Sequence, residues 1–176
     1  MVKSDRLGNI QYGALPYRIG AGGEIEVLLL TSRGVGRWVI PKGWPMLGRK
    51  PRVVALTEAR QEAGIKGIIG RKPIGSYHYT KSMDGTETRL CECVVFLLLV
   101  TAESSSWREQ AERTRAWFPR DKAAELVNEG ALAMMIRTLQ HAAERGPYVP
   151  PGSAGCNARK GRSSFLKKRS KRLLSL

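Results

Sequence analysis

Acidic residues are scarce in this chain, which has 15 aspartates and glutamates against 30 lysines and arginines over 176 residues. The resulting net charge of +15 favours anionic partners, such as phosphorylated small molecules, nucleic acid or an acidic membrane surface. Long apolar runs are missing too, so no transmembrane helix is predicted. Residues 1–13 do not contain the apolar centre of a signal peptide, and we therefore expect a cytoplasmic protein.

Cysteine is also rare. Three cysteines without a C-x-x-C pair argue against both a disulfide framework and a zinc site. Cys91 and Cys93 alternate within an apolar segment, where we expect them to pack on one face of a strand as small hydrophobic side chains.

The hydrophobic fraction of 42% is ordinary for a globular domain. Its distribution predicts strands over residues 11–18, 25–32, 38–40, 74–80, 88–101 and 116–118, with helices over 51–63, 121–127 and 130–143. Pro16 indicates an edge strand, the run over 88–101 a central strand, and Asp121 a helix N-cap. Residues 66–73 have the glycines of a loop, and Asp84-Gly85 is a hairpin signal. Mixed strands with helices in the middle and at the end predict an α/β (α+β) sandwich.

Three regions follow from composition: an extension over 1–10, a domain over 11–145 and a basic tail over 146–176. Residues 147–176 hold eight lysines and arginines and no acidic residue, after a segment rich in proline and glycine. This composition is typical of disorder. Its leucines and lysines would also suit a short amphipathic helix on RNA or an anionic membrane, and both interpretations stay open.

Glu58 and Glu62 lie four residues apart in the predicted helix, so their carboxylates project from one face about one turn apart. Two like charges at this spacing repel each other, and a divalent cation between them would reverse that effect. The alternative is a pair of solvated surface glutamates, which is the commoner situation for glutamate on a helix. The spacing alone does not decide between them.

The stretch from Pro41 to Ile65 resembles a Nudix box, whose pattern is G-x5-E-x7-R-E-U-x-E-E-x-G-U, where U is an aliphatic residue. Six residues match or nearly match in one register: Gly43, Glu58, Ala59, Glu62, Gly64 and Ile65. Arg49 and Gln61 replace glutamates of the pattern, and Thr57 replaces its arginine. The resemblance implies the Nudix fold, a mixed sheet between helices with the box as loop, helix and loop, over about residues 11–143.

The flanking residues are similar to the diphosphoinositol-polyphosphate phosphohydrolase branch of that family. They are Arg33, Arg37 to Pro41, Gly67, Gly70-Arg71, Trp107 and Arg115 to Phe118. This resemblance implies a hydrolase that cleaves diphosphate linkages in nucleoside polyphosphates or diphosphoinositol polyphosphates. It further implies a site in which Glu58 and Glu62 hold Mg²⁺ or Mn²⁺.

Other site residues follow from the same resemblance and from charge. Gln61 would offer a carbonyl oxygen at the site, and Glu109 or Glu112 would be a further ligand or the general base. Seven residues are candidates for binding substrate phosphates: Arg18, Arg33, Arg37, Lys42, Gly43, Lys81 and Arg89.

The three replacements limit the prediction of activity. In the family, the arginine at the Thr57 position orients the box carboxylates, and removing such support commonly costs about 10–100-fold in activity or metal affinity. We therefore predict a pyrophosphohydrolase with a weakened metal site. The alternatives are an inactive domain that binds a polyphosphorylated ligand, and an RNA- or membrane-associated protein that acts through its tail.

Overall fold

The computed structural model describes residues 9–83 and 87–139, except for the side chains of residues 82, 83 and 87. The predicted turn at Asp84-Gly85 and the predicted tail over 146–176 lie outside the described residues. The elements in chain order are β1 (Ile10–Ile19), β2 (Ile25–Thr31), β3 (Trp38–Val39), β4 (Lys42–Gly43), α1 (Pro51–Ala63), β5 (Ile65–Ile69), β6 (Gly75–Met83), β7 (Glu87–Glu103), β8 (Arg115–Pro119), α2 (Arg120–Leu126) and α3 (Gly130–Arg137).

The strands form one mixed sheet. Its main path runs β3-β2-β1-β7-β5, while β4 pairs with β1, β6 with β7 and β8 with β2. The β1–β7 pair is parallel, and the other pairs are antiparallel. The long strand β7 contacts three others, so its predicted central position is confirmed.

Helices cover both faces of the sheet. Successive strand residues point to opposite faces, so one strand contributes side chains to both cores. Leu29 packs in one core with Ala124 of α2 and Ile136 of α3. Its neighbour Leu28 packs in the other core with Ala59 of α1. The result is the predicted α/β/α sandwich, and within residues 9–83 and 87–139 the helix that covers the second face is α1.

The box helix forms where its end signals predict. Pro51 is the first residue of α1, where a missing N–H costs no hydrogen bond. Gly64 follows the helix with φ of 63°, a left-handed conformation that favours glycine. The two ends of α1 are therefore marked by residues that the local sequence identifies, Pro51 at the start and Gly64 after the last residue.

Three predictions of local structure are wrong. Strand β1 is internal and not at an edge: β4 pairs with it at Tyr12 and Gly13 and β2 from Tyr17 onward, so Pro16 falls between the two ladders. The expected loop over 66–73 contains β5, which pairs with β7. Asp121 lies in the first turn of α2, and Pro119 is the N-cap.

A substitution at Gly67 tests the packing of β5 on β7. Gly67 lies at an irregularity of this ladder, and a Cβ atom there would overlap the backbone carbonyl oxygen of Leu99. We expect Gly67→Ala to lower the free energy of unfolding by about 2 kcal/mol in urea denaturation, because a paired backbone cannot move aside easily. The control is Gly130→Ala, whose Cβ would meet no described atom within 4 Å and should not destabilise. Equal stabilities of Gly67→Ala and the parent would contradict the close approach.

Candidate active site

A cleft of about 520 Å³ opens beside the face of α1 that carries Glu58 and Glu62. Strands β1, β3, β4 and β6, the loops after β2 and β4, the loop between β7 and β8 and the N-cap of α3 contribute the rest of its wall. Its lining residues are Gln11, Ser32, Arg33, Val35, Arg37, Val39, Lys42, Gly43, Trp44, Pro45, Met46, Glu58, Glu62, Tyr79, Lys81, Glu109, Arg113 and Glu129. Acidic and basic side chains thus share one concave surface.

Glu58 occupies space that the absence of a side chain at Gly43 provides. A Cβ atom at Gly43 would overlap the carboxyl group of Glu58, so the glycine of the loop and the first glutamate of the helix fit together sterically. Among the described residues, no hydrogen bond or ion pair reaches the Glu58 carboxylate. This carboxylate is half-buried and has its oxygens available for a ligand.

Glu62 is held firmly and is buried. One carboxylate oxygen accepts the backbone N–H of Lys42 at 2.9 Å. The other accepts from the Arg113 guanidinium at 2.5 Å. The backbone carbonyl of Glu62 also accepts the indole N–H of Trp107 at 3.1 Å, which ties the end of α1 to the loop after β7.

Arg113 was not among the residues that the sequence indicated. Its Nη2 bonds to Glu62, its Nε bonds to Glu109 at 2.6 Å and its Nη1 donates to the carbonyl oxygen of Thr31 at 2.9 Å. Only 7% of the Arg113 side chain is exposed. Three donors of one buried guanidinium are therefore engaged at the edge of the cleft.

The electrostatics of the cleft concentrate negative charge on α1. Burial raises the pKa of Glu58, and the nearby carboxylates of Glu62 and Glu109 raise it further. Burial also raises the pKa of Glu62, although Arg113 acts in the opposite direction. Burial lowers the pKa of Lys42. Each charge is thus disfavoured until an oppositely charged partner offsets it.

The residues present fit a hard divalent cation. Carboxylate oxygens are its preferred protein ligands, and Glu58 offers a pair without hydrogen-bond partners next to Glu62. In the described part of the chain, no three His, Cys, Asp or Glu side chains come together as a metal cage. The cation would therefore take further oxygens from substrate and water, as Mg²⁺ commonly does.

Part of the cleft wall is cationic and aromatic. The Lys42 ammonium lies 5.0 Å from the Tyr79 ring centroid, and that of Lys81 lies 4.8 Å from Trp44. Arg33 and Arg37 add two guanidinium groups from the loop after β2. This wall can neutralise a polyanion and stack on a ring.

Four of the predicted site residues lie elsewhere. Gln61 lines a second groove of about 810 Å³ on another side of α1. Glu112 is exposed and pairs with Arg33 at 3.4 Å, so it is Glu109 that lines the cleft. Arg18 bonds to Glu26 and covers the Trp117 ring, and Arg89 is exposed on β7. None of the four lines the cleft, and their roles in catalysis and substrate binding stay predictions.

The three replaced box residues share one location. Arg49, Thr57 and Gln61 all line the second groove, together with the cations Arg60, Lys66 and Arg108. The face with Glu58 and Glu62 is separate from this lining. The substitutions therefore change another surface of α1 than the one that carries the retained carboxylates.

Several cleft residues were not predicted from the sequence: Gln11, Tyr79, Arg113 and Glu129. Glu109 was an alternative to Glu112. One signal for Arg113 was present, because Glu109 and Arg113 have the i,i+4 spacing of an ion pair and form a helical turn in the loop. Gln11 accepts from the Tyr79 hydroxyl, and this contact between distant strands has no local signal.

Comparisons with known proteins identify the family and the fold of the chain. No protein-family model matches the chain. The chain is 30% identical over 147 residues to Arabidopsis thaliana Nudix hydrolase 12, mitochondrial, which spans 73% of this chain and 72% of the relative. It is 32% identical over 137 residues to A. thaliana Nudix hydrolase 18, mitochondrial, with 72% and 76% covered. Mouse diphosphoinositol polyphosphate phosphohydrolase 2 is 29% identical over 145 residues, with 80% and 70% covered.

Solved structures show the same fold. A Caenorhabditis elegans Ap4A hydrolase in a binary complex has a TM-score of 0.57 and 19% identity, covering 78% of this chain and 98% of its own. The MutT protein from Methanosarcina mazei has a TM-score of 0.56 and 19% identity, with 77% and 95% covered. The predicted fold and family are both confirmed, and this chain belongs to the Nudix hydrolases.

Proposed function

We propose that the protein is a metal-dependent hydrolase of diphosphate linkages in phosphorylated small molecules, of the nucleoside polyphosphate or diphosphoinositol polyphosphate type. The observation that carries the proposal is the cleft itself, which two carboxylates of α1 line together with four cations. A diphosphate chain requires both, since its own charge must be neutralised and the leaving phosphate stabilised.

The residues have distinct tasks in this proposal. Glu58 and Glu62 would hold Mg²⁺ or Mn²⁺, and such an ion, when bound, would supply positive charge to the phosphoryl oxygens and lower the pKa of a water molecule. Lys42 and Lys81 bind the remaining phosphates as point charges, while Arg33 and Arg37 can bind phosphate oxygens in a bidentate manner. Burial lowers the pKa of Lys42, and the negative charge of a bound substrate would act in the opposite direction.

Glu109 is the residue best placed to accept a proton. It lines the cleft, and its carboxylate is bound on one side by Arg113. The weakened metal site predicted from the box remains part of the proposal, because both oxygens of Glu62 already accept hydrogen bonds. A cation would then depend on Glu58 for its available protein oxygens.

The names of the relatives bear on the substrate. The mouse relative is named a diphosphoinositol polyphosphate phosphohydrolase, and a structural neighbour is named an Ap4A hydrolase. Either substrate class suits a cleft with four cations and two half-buried aromatic side chains. No described helix is long and apolar enough to cross a membrane. The cytoplasmic location, and the tail's contact with RNA or membrane, stay predictions.

A substrate panel tests the proposal. Nucleoside di- and triphosphates, diadenosine polyphosphates and diphosphoinositol polyphosphates are incubated with the full chain and Mg²⁺, Mn²⁺ or EDTA. We expect cation-dependent phosphate release from at least one class, and a loss of about 100-fold or more in Glu62→Gln, because several kcal/mol of charge stabilisation depend on the cation. Thermal stabilisation by these compounds without turnover would instead support the inactive, ligand-binding alternative.

A further inference from the structure

Arg113 lies where the carboxylates of the cleft would otherwise repel one another. Glu62 is 9% exposed and Glu109 16% exposed, and both bond to the same guanidinium, at 2.5 and 2.6 Å. Without Arg113, two buried carboxylates would face each other beside Glu58. The positive charge of Arg113 at this point offsets the repulsion between these carboxylates.

The guanidinium is held by more than its charge. Its third interaction, with the carbonyl oxygen of Thr31, comes from the end of β2 on a different part of the chain. Planar donors that reach two carboxylates and a carbonyl fix the side chain in one orientation. Arg113 in turn fixes the carboxylate of Glu62, whose other oxygen is bound by the N–H of Lys42.

Arg113 supplies the orienting charge that Thr57 of the box helix does not. Residue 57 is a threonine whose hydroxyl donates to the Val53 carbonyl oxygen of its own helix at 2.8 Å, so it does not contact either glutamate. Arg113 reaches Glu62 across 51 residues of chain, from the loop before β8. The orienting charge therefore comes from the loop before β8 and not from the box helix.

We infer that Arg113 is a built-in counter-ion. It occupies the place of a second divalent cation between Glu62 and Glu109. It also positions Glu62 for a single cation at Glu58. The inference rests on the proposed function, since it concerns the cation that the two box glutamates hold. It differs from a purely structural role because Arg113 then competes with metal. A variant without the Arg113 guanidinium should bind metal more strongly and turn over substrate more slowly.

The test is a Mn²⁺ titration of the full chain without substrate, followed by the electron paramagnetic resonance signal of free Mn²⁺. The parent should bind one ion. Arg113→Met, which keeps much of the side-chain volume, should bind a second ion or bind Mn²⁺ at least about tenfold more tightly, because a charge next to the ligands is removed. Its kcat on the preferred diphosphate should fall at least about tenfold, since Glu62 is no longer oriented.

Two further variants separate the explanations. Glu109→Gln combined with Arg113→Met removes a carboxylate of the second ion's site and should return the stoichiometry to one. Arg113→Lys keeps the charge without bridging both carboxylates, so it should bind one ion with a reduced kcat. This variant also serves if Arg113→Met does not fold, and two ions bound to it would overturn the inference.

Unchanged or weaker Mn²⁺ binding by a folded Arg113→Met would also overturn the inference. Failure of the proposed function has a different signature, because the parent itself would then bind no Mn²⁺ that depends on Glu58. That result removes both proposals, whereas an unresponsive Arg113→Met with an intact Glu58 site removes only this one.

Discussion

Glu58→Gln is expected to abolish most diphosphate hydrolysis while leaving the fold as stable as the parent, or more stable. The carboxylate has no hydrogen-bond partner among the described residues, so an amide of the same shape loses no contact. Activity should fall by about 100–1,000-fold, because the cation's charge no longer reaches the phosphoryl oxygens. Steady-state rates at saturating Mg²⁺ and thermal melting in EDTA measure the two effects.

The pH dependence of that stability difference follows from the pKa of Glu58. Burial and the neighbouring carboxylates raise it above the ordinary value of 4.5. A raised pKa means that folding favours the protonated form, so the stability is present below the ordinary value and is lost as pH rises through the folded-state pKa. The advantage of Glu58→Gln in melting temperature should therefore be present at neutral pH and disappear near pH 4.

The matched control is Glu125→Gln on α2. Glu125 is 61% exposed, pairs with Lys122 at 3.1 Å on the surface and does not line the cleft. It should change neither activity nor melting temperature appreciably. A Glu58→Gln variant that melted well below the parent in EDTA would contradict the view that Glu58 is kept for ligand binding at a cost in stability.

The second large effect is expected at Gly43. A Cβ atom there would overlap the Glu58 carboxyl group, which is the flexible end of a side chain. Glu58 should therefore swing away in Gly43→Ala, so that the variant keeps its fold but loses about 10–100-fold in kcat/KM, as the ligand pair is separated. Rates and melting temperatures of Gly43→Ala and Gly130→Ala give the comparison.

The two outcomes of that experiment are clearly different. Gly130→Ala adds the same methyl group at a helix start with open space around it, so its activity should match the parent's. Full activity in Gly43→Ala would mean that the packing of Glu58 on the loop glycine has no part in the site. A drop in melting temperature without a change in rate would lead to the same conclusion.

The parts of the fold that the sequence predicts are those with local causes. Helix α1 begins at Pro51 and ends before Gly64 because both residues have backbone preferences that act without neighbours. Strand β5 has no such signal: its glycine and lysine resemble a loop, and its pairing with β7 makes it a strand. Pro16 misled for a similar reason, because the gap between the two ladders beside β1 exists only in the assembled sheet.

The site divides in the same way. Glu58 and Glu62 follow from helical spacing and a motif, and the structure places both in the cleft. Arg113 is 51 residues from Glu62, so only tertiary structure brings the two together. The choice between Glu109 and Glu112 depended on how the loop before β8 turns. The two residues are three apart in sequence, and this spacing does not determine which carboxylate lines the cleft. The fold thus adds Arg113 and Glu109 to the pair of glutamates that the sequence predicts.

The most direct test of the account is Mn²⁺ binding to the parent and to Glu58→Gln, measured by electron paramagnetic resonance without substrate. The account predicts one ion bound to the parent and at least about tenfold weaker binding to the variant, because the carboxylate that offers unshared oxygens is gone. Equal Mn²⁺ affinity in the two proteins would contradict the claim that the box glutamates hold the catalytic cation.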